Sequence, residues 1–567
     1  MREVVFKTIK GAIEKNGVEF EDEKIKSLIE VPKDYSKGDF AFPCFALAGI
    51  MKMPPHEIAI ELKKEIGAGP IDFSDIQTLG GYINFFINRK NLALQLIQKI
   101  KKDKDKFGGN NLFKKEKTMI EFPSPNTNKP LHLGHLRNMS IGESLSRISE
   151  FNGEKVVRTN LNNDKGVHIC KSMLAYQKWG KGKEPTKKLK PDHLVGDFYV
   201  MYSKKQKLKP ALENEAHALL GKWEEGDKET ISLWKKMNKW ALDGFRETYK
   251  KFGIKHDKEY FESKIYKKGK KIILEGIEKK IFQKLKDGSV KFDLKNEGLG
   301  EKYLLRADGT SLYITQDIYL AYLKQKEFHL TKSYYVVGNE QEYHFNVLFS
   351  ILKKLKIPLT ELRHISYGMV NLPDGKMKSR EGTVVDADNL IEKVENLAKK
   401  EISKREKILK KELEKRGHKI ALAAIKYMLL KIDIKKNLLF NPKESISLEG
   451  NTGPYLLYSY ARANSIIKKS KKGEKKNYEI DLEEKETELV LKINEFPEVV
   501  KKAHDSLDPS IVANYSYELA KIFNEFYHSM DVIGSEKEDF RLDLVESFKN
   551  VLKNSLYLLG IDVLEKM

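Results

Sequence analysis

Between residues 116 and 392, short apolar runs with strand character alternate with stretches of helical period, and this alternation constrains the fold more than any other feature. "TMIEFPS" reads as a buried strand, "LGHLRNMSIGESLSRISEFNG" as an amphipathic helix closed by Gly153, and "KVVRTNL" as a second strand. Further on, "SLYIT" reads as a strand, followed by a helix through "DIYLAYLKQK", the strand "SYYVVG", the helix "EYHFNVLFSILKKL" and the strand "RHISYGM". Strands joined by single helices run parallel. The pattern therefore predicts an α/β fold, a doubly wound parallel sheet whose ligand sits at the carboxyl ends of the strands. Between about 180 and 300 the alternation loosens into helices and a β-rich patch, which reads as an insertion.

A chain of 567 residues exceeds one ordinary core. Residues 1–110 read as a small α/β domain: an opening helix, the loop "DYSKGDFAFPCF", a helix near "PPHEIAIELKKEI" and the strand "GYINFFIN", with "KKDKDKFGGNN" as a linker. Residues 111–405 carry the parallel sheet and the insertion. From 406 to 567 nearly everything has helical period, which predicts an all-α bundle.

The two cysteines, Cys44 and Cys170, match no metal-ligand spacing and form no disulfide framework, so a reducing cytoplasm is expected. The N-terminus interleaves charges where a signal peptide would be apolar, and "FAFPCFALAGIM" is too short to span a bilayer. No membrane association is expected. A formal charge of +22 points to a polyanionic partner, with nucleic acid ahead of a membrane surface. Mixed-sign helix faces such as "KKEISKREKILKKELEKRGHK" account for part of the lysine content without any partner.

Chemistry gathers in "PSPNTNKPLHLGHLRN". A strand leads through two prolines to a helix that begins near Leu133, and His132 and His135 flank Gly134 at its start. Unpaired N–H groups at a helix start attract phosphate, and glycine lets a ligand approach the backbone. Two imidazoles there can donate hydrogen bonds, or positive charge, to a phosphate in flight. A metal pair is the weaker reading, since no third ligand follows in pattern. After the strand "HISYGMV" comes "PDGKMKSREGTVV", a basic loop whose Lys376 and Arg380 could close over the β- and γ-phosphates of a nucleotide.

Together these two stretches resemble the HIGH and KMSKS signatures of class I aminoacyl-tRNA synthetases. Within that class, "SPNTNKPLHLGHLRN" is similar to the S-P-N-x-x-K-P-x-H-x-G-H-L-R of the arginyl-tRNA synthetase family. "DGTSLYITQD", "YVVGNEQEYHF", "LEGNTGPYLLYSYAR" and "LLGIDVLEKM" resemble further segments of that family, and "GDFAFPCFALA" with "GYINFFIN" resembles its N-terminal add-on domain. The likeness covers essentially the whole chain. It implies a Rossmann-like catalytic sheet with a tRNA-contacting N-terminal domain and an anticodon-binding helical bundle. The implied reaction is ATP-dependent activation of L-arginine to arginyl-adenylate, then transfer to the 3′-terminal ribose of tRNA(Arg), by attack of its 2′ hydroxyl.

Carried over by position, the resemblance implies an amino-acid pocket of Glu121, Ser124, Asn126, Tyr313, Asp317 and Gln341. Carboxylates and amide oxygens suit the planar donor fork of a guanidinium. Either acid could instead pair with a nearby Lys or Arg. His132, Gly134 and His135 would handle ATP with His344 nearby, and the backbone of Met369 and Val370 is a candidate adenine contact. The basic loop departs from K-M-S-K-S: Ser379 stands where the second lysine belongs and Lys378 sits one place earlier. Either Lys378 or Lys129, just ahead of the first histidine, stands in for it. Tyr455 and Tyr458 offer stacking faces for unpaired anticodon bases, although bundle aromatics are more often core. Asn524, Tyr527, Met567, Asn84 and Asn88 fall at further implied tRNA contacts. Mg2+ is expected with ATP, zinc is not, and the chain is expected to act as a monomer.

Overall fold

The computed structural model describes residues 1–32, 34, 37–310, 312–373, 385–470 and 481–567. They pack as two compact units. One comprises Met1–Phe107 with the helical segments Ile466–Glu495 and Ile522–Asn550; the other comprises Gly108–Ser465, Phe496–Lys521 and Val551–Met567.

In the first unit, strands β1 (Phe40–Pro43), β2 (Phe73–Leu79) and β3 (Tyr82–Ile87) form an antiparallel sheet in the order β1-β3-β2. The helices Arg2–Lys15 and Pro55–Ile66 close one face over a core that includes Ile9, Phe42, Leu62, Ile83 and Phe85. "GYINFFIN" becomes the central strand, β3. The stretch read as the loop "DYSKGDFAFPCF" carries the edge strand β1, too short to show an alternating pattern. The stretch read as a linker from residue 101 begins inside the helix Arg89–Asp103.

The second unit is organised by five parallel strands: β4 (Lys117–Glu121), β5 (Lys155–Asn162), β6 (Lys258–Phe261), β10 (Lys332–Gly338) and β11 (Glu361–Tyr367). Their order is β11-β10-β4-β5-β6. Chain direction across the sheet therefore reverses between β4 and β10, and the crevice at their carboxyl ends is where such sheets bind ligands. β4 and β10 are almost wholly buried, as the interior strands of a covered parallel sheet must be.

Two expectations need correction here. "SLYIT" is no strand: the helix Tyr313–Phe328 begins at Tyr313 and buries Ile314, Thr315 and Ile318. The β-branched pair that suggested a strand is held in the helix by packing, and Thr315 donates its hydroxyl to the Leu304 carbonyl at 2.7 Å. The stretch 180–300 is also not wholly inserted, because its four-residue β6 is the edge strand of the parallel sheet. Around β6 lie three helices, Pro191–Leu208, Leu212–Glu225 and Lys228–Phe252, and the antiparallel sheet of β7 (Gln283–Lys284), β8 (Val290–Leu294) and β9 (Gly300–Leu305).

Candidate active site

Beyond Glu121 the chain passes a cis Phe122–Pro123 bond into Ser124, whose φ of +54° is left-handed. Asparagines at the end of β5 hold this bend. The Ser124 N–H donates to Asn160 Oδ1 at 3.0 Å, and Asn163 Nδ2 donates to the Ser124 carbonyl at 2.9 Å. Asn126 bridges Asn163, so predicted pocket residues Ser124 and Asn126 lie side by side on a scaffold supplied by "TNLNN".

The loop then enters the 19-residue helix Leu133–Phe151, with His132 at its N-cap. On the other side, the Leu133 N–H donates to the Val385 carbonyl and the Ala387 N–H to the Leu131 carbonyl, each at 3.0 Å. The segment that follows the basic loop is thereby fixed to the first histidine motif. The His132 N–H donates to His135 Nδ1 at 3.0 Å, so His135 carries its proton on Nε2 and presents it as a donor. The two rings lie 3.9 Å apart. Burial, with Lys129 nearby, pushes His132 down to about 3; burial, His132 and Lys129 push His135 well below its usual range. Both imidazoles are therefore neutral near pH 7. Of the two roles the sequence left open, the structure favours hydrogen-bond donor over cation. A side chain at Gly134 would meet the His132 ring at 3.0 Å.

Around this helix start, Ser124 Oγ, Asn128 Oδ1, His132 Nδ1, Asn138 Oδ1, Asn162 Nδ2 and His168 Nε2 are buried without a hydrogen-bond partner among the described residues. Buried polar atoms are rarely left so, and a cluster of them at the sheet's switch point marks a place for a polar ligand.

Arg137, which the sequence reading passed over, is fully buried one turn into the helix. Its guanidinium donates to the carbonyls of Gly368 (2.9 Å), Met369 (3.3 Å), Ile434 (3.0 Å) and Lys436 (2.8 Å). It thus clamps β12 (Val370–Asn371) beside β13 (Leu438–Leu439). Gly368 permits the approach, since a Cβ there would lie 2.6 Å from the Lys436 backbone. The Met369 N–H donates to Asn437 Oδ1 and its carbonyl accepts from Leu438, so its backbone is occupied. The alternation of a parallel ladder leaves Val370's own N–H and C=O facing the opposite edge.

On the helix Tyr313–Phe328, Tyr313 is exposed and Asp317 pairs with His344 at 2.7 Å. Glu121 is buried and takes the ammonium of the equally buried Lys324 at 2.5 Å. Gln341 is exposed in the turn after β10. Tyr313 lines a cleft of about 870 Å3 with Lys165, His168, Glu262, Arg306 and Gln316. Glu262, at the end of β6, is 7% exposed, and its carboxylate makes no hydrogen bond or ion pair among the described residues. Burial pushes it up to about 7, with Lys165 opposing and Asp164 and Asp317 adding as like charges. Its signal in the sequence was an acid directly after an aromatic strand, visible once β6 joins the sheet.

Lys376, Lys378, Ser379 and Arg380 lie outside the described residues. Asp192, His193 and Asp388 come within metal-ligating distance of one another. Lys190 already stands among them, 2.7 Å from Asp388 and 3.3 Å from Asp192, so the cluster is an ion-pair network.

The residues marked for tRNA fall on both units. Asn84 is buried in the central strand β3, and Asn88 caps the helix Arg89–Asp103 by accepting from the Asn91 N–H. Asn524 is buried on the same unit, where Tyr527 is exposed. On the other unit, Tyr455 lies against Tyr517, Tyr458 lies under the Arg462 guanidinium, and Met567 is half-buried.

Three family models match the chain: the class I tRNA synthetase (R) catalytic domain over residues 96–441, the DALR anticodon-binding domain over 456–567, and the arginyl-tRNA synthetase N-terminal domain over 3–87. An arginine--tRNA ligase of Treponema denticola is 46% identical, with 95% of this chain and 94% of that protein covered. One from Borrelia hermsii is 43% identical over 100% and 99%. In fold, the chain is similar to the arginyl-tRNA synthetase of Thermus thermophilus, with a TM-score of 0.82, 24% identity and 100% of both chains covered. A sheet of this order, a histidine pair at its switch point and relatives of this identity along the whole length lead to one conclusion: the chain belongs to the arginyl-tRNA synthetase family of class I tRNA synthetases.

Proposed function

We propose that arginine activation takes place at the carboxyl edge of β4 and β10, with the unpartnered polar cluster around His132 and His135 receiving the ATP triphosphate and, at Ser124, the arginine. The family's reaction is the ATP-dependent joining of L-arginine to tRNA(Arg) through arginyl-adenylate, with release of pyrophosphate and AMP. What carries the placement is the coincidence of six buried, unsatisfied polar atoms with the N-terminus of a 19-residue helix.

The arginine carboxylate attacks the α-phosphorus and pyrophosphate leaves; no proton needs to move in that step. Catalysis is then a matter of positioning and of stabilising charge on the phosphate oxygens. Neutral His135 donates from Nε2, the helix start contributes backbone N–H groups, and Lys129 supplies a positive charge. The family resemblance alone assigns Lys376, Lys378, Ser379 and Arg380 of the basic loop to the nucleotide. Mg2+ enters with the nucleotide and offsets charge on its outer phosphates. Val370's free backbone edge, held by the Arg137 clamp, takes the adenine.

Glu121 and Asp317 receive the guanidinium of arginine beneath Tyr313. Ser124, Asn126 and Gln341 orient its backbone groups, and Glu262 adds a buried carboxylate at the adjoining cleft. Residues 1–110 and 406–567 act as the tRNA-binding parts around the catalytic region 111–405. The second step is attack of the terminal 2′ hydroxyl of tRNA on the adenylate, and the chain acts as a cytoplasmic monomer.

Charging tests this directly. With arginine, Mg-ATP and transcripts of tRNA(Arg) whose terminal adenosine lacks either ribose hydroxyl, the 3′-deoxy transcript is expected to accept arginine and the 2′-deoxy transcript to refuse it. The reverse preference would overturn the assigned second step, and failure to charge either would overturn the placement.

A further inference from the structure

We propose that Lys324 is a positioning and specificity-determining residue of the arginine pocket, fixing the Glu121 carboxylate against which the substrate guanidinium docks. This rests on the reading that Glu121 and Asp317 receive arginine.

Tyr313, Asp317 and Lys324 stand four and eleven places along one helix, which is close to one and three full turns, so they share a face. Exposure falls steadily along that stripe. Tyr313 is 68% exposed and the Asp317 side chain 30%, while Lys324 is 1% exposed. The stripe runs from an exposed end at Tyr313 to a buried end at Lys324. At the buried end, the Lys324 ammonium lies 2.5 Å from Glu121 Oε2 and 4.6 Å above the ring of Tyr335. Tyr335 is the residue of β10 in register with Glu121 on β4, so the lysine spans the two strands at the switch point.

A buried cation beneath a pocket for a cation is at first sight the wrong charge. Glu121 explains it. A buried carboxylate without a neighbouring donor turns between rotamers and presents its acceptors in no fixed plane. Lys324 occupies Oε2, which leaves Oε1 presented in one fixed plane. A planar donor fork gains from two acceptors held in fixed orientation; a substrate ammonium, being a point charge, gains much less. Lys324 thereby favours arginine over lysine without touching either.

The test is ATP–pyrophosphate exchange in the presence of tRNA, comparing wild type with E121Q, K324M, K324R and the double variant E121Q/K324M. The expected result is that E121Q and K324M each raise the KM for arginine at least tenfold and change the KM for ATP less than twofold. The double variant is expected to be no worse than E121Q alone, and K324R to keep part of the arginine affinity. A K324M that raises both KM values alike, or neither, would make the lysine a mere tie between helix and strand and overturn the inference. An E121Q that leaves the arginine KM unchanged would instead overturn the pocket assignment beneath it. Should K324M fail to fold, the double variant, in which both buried charges leave together, decides: a KM equal to that of E121Q supports the coupling, and a further rise contradicts it.

Discussion

The two ends of the parallel sheet treat buried polar groups in opposite ways. At the amino ends, Glu154 is completely buried, yet both its oxygens are used. Oε1 takes Lys332 at 2.8 Å and His504 at 3.0 Å, and Oε2 takes the Thr118 hydroxyl at 2.7 Å. Phe113 stacks on the His504 ring at 4.2 Å and seals the cluster. Against burial, the cations and the hydroxyl hold Glu154 down to about 2, and Glu154 holds His504 up. At the carboxyl ends, by contrast, histidines, asparagines and a serine are buried with atoms left unmatched, and the imidazoles are held neutral. The same strands thus carry a closed network at one end and an open one at the other. A satisfied polar cluster stabilises a fold; an unsatisfied one is shaped for something that is not part of the chain.

The sharpest way to break this comparison is Glu154→Ala. Leaving Lys332 and His504 buried without their carboxylate should lower unfolding stability by about 3–5 kcal/mol, while kcat of the folded enzyme stays near wild type. Denaturant melts and exchange assays on one sample would check both halves, and a large fall in kcat would erase the distinction between the ends. His135→Ala should do the reverse. It should slow adenylate formation at least tenfold, about 1.4 kcal/mol or more of barrier, with tRNA binding nearly unchanged and unfolding stability lowered only by about 1 kcal/mol for the lost partner of the His132 N–H. Asp317→Asn should be milder, raising the arginine KM about fivefold, near 1 kcal/mol, at unchanged ATP KM; an unaltered arginine KM would remove Asp317 from the pocket.

A separate expectation concerns pH. His132 keeps its proton off in the folded state down to about 3, against 6.5 in an ordinary histidine. The unfolded chain therefore binds more protons in that window, and stability falls as pH drops from 6.5 towards 3. Glu154 works differently: its contribution is full above about 4.5 and is lost only as pH falls through about 2. His504, being raised, contributes below 6.5 and loses that contribution as pH climbs through its folded value. His132→Asn should flatten the acid slope between 6.5 and 3, and His504→Asn the alkaline one. Identical profiles for both variants would contradict the assignment of opposite shifts to the two ends.

Much of this architecture was legible in the sequence because it rests on local signals. The strand–loop–helix through Glu121 and Leu133 announces itself by an apolar run, prolines and a helical period. The helix at Tyr313 was misread because Ile314 and Thr315 carry strand propensity that packing overrides. β6 was missed because four residues cannot display a period. Arg137 stands within the histidine motif, yet nothing in the sequence tells that its partners lie more than 200 residues away. The same holds for Glu154 and His504, which meet across 350 residues. Lys324 is the exception: its spacing of seven from Asp317 places it on the same face of one helix, which the helical period of "YITQDIYLAYLK" shows.

The most direct measurement of the whole account is ATP–pyrophosphate exchange by the wild-type chain with arginine and with lysine, each with and without tRNA. Exchange with arginine in the presence of tRNA, and none with lysine, is the predicted result. Exchange supported by lysine as well as by arginine, or no exchange with arginine while tRNA still binds, would contradict it.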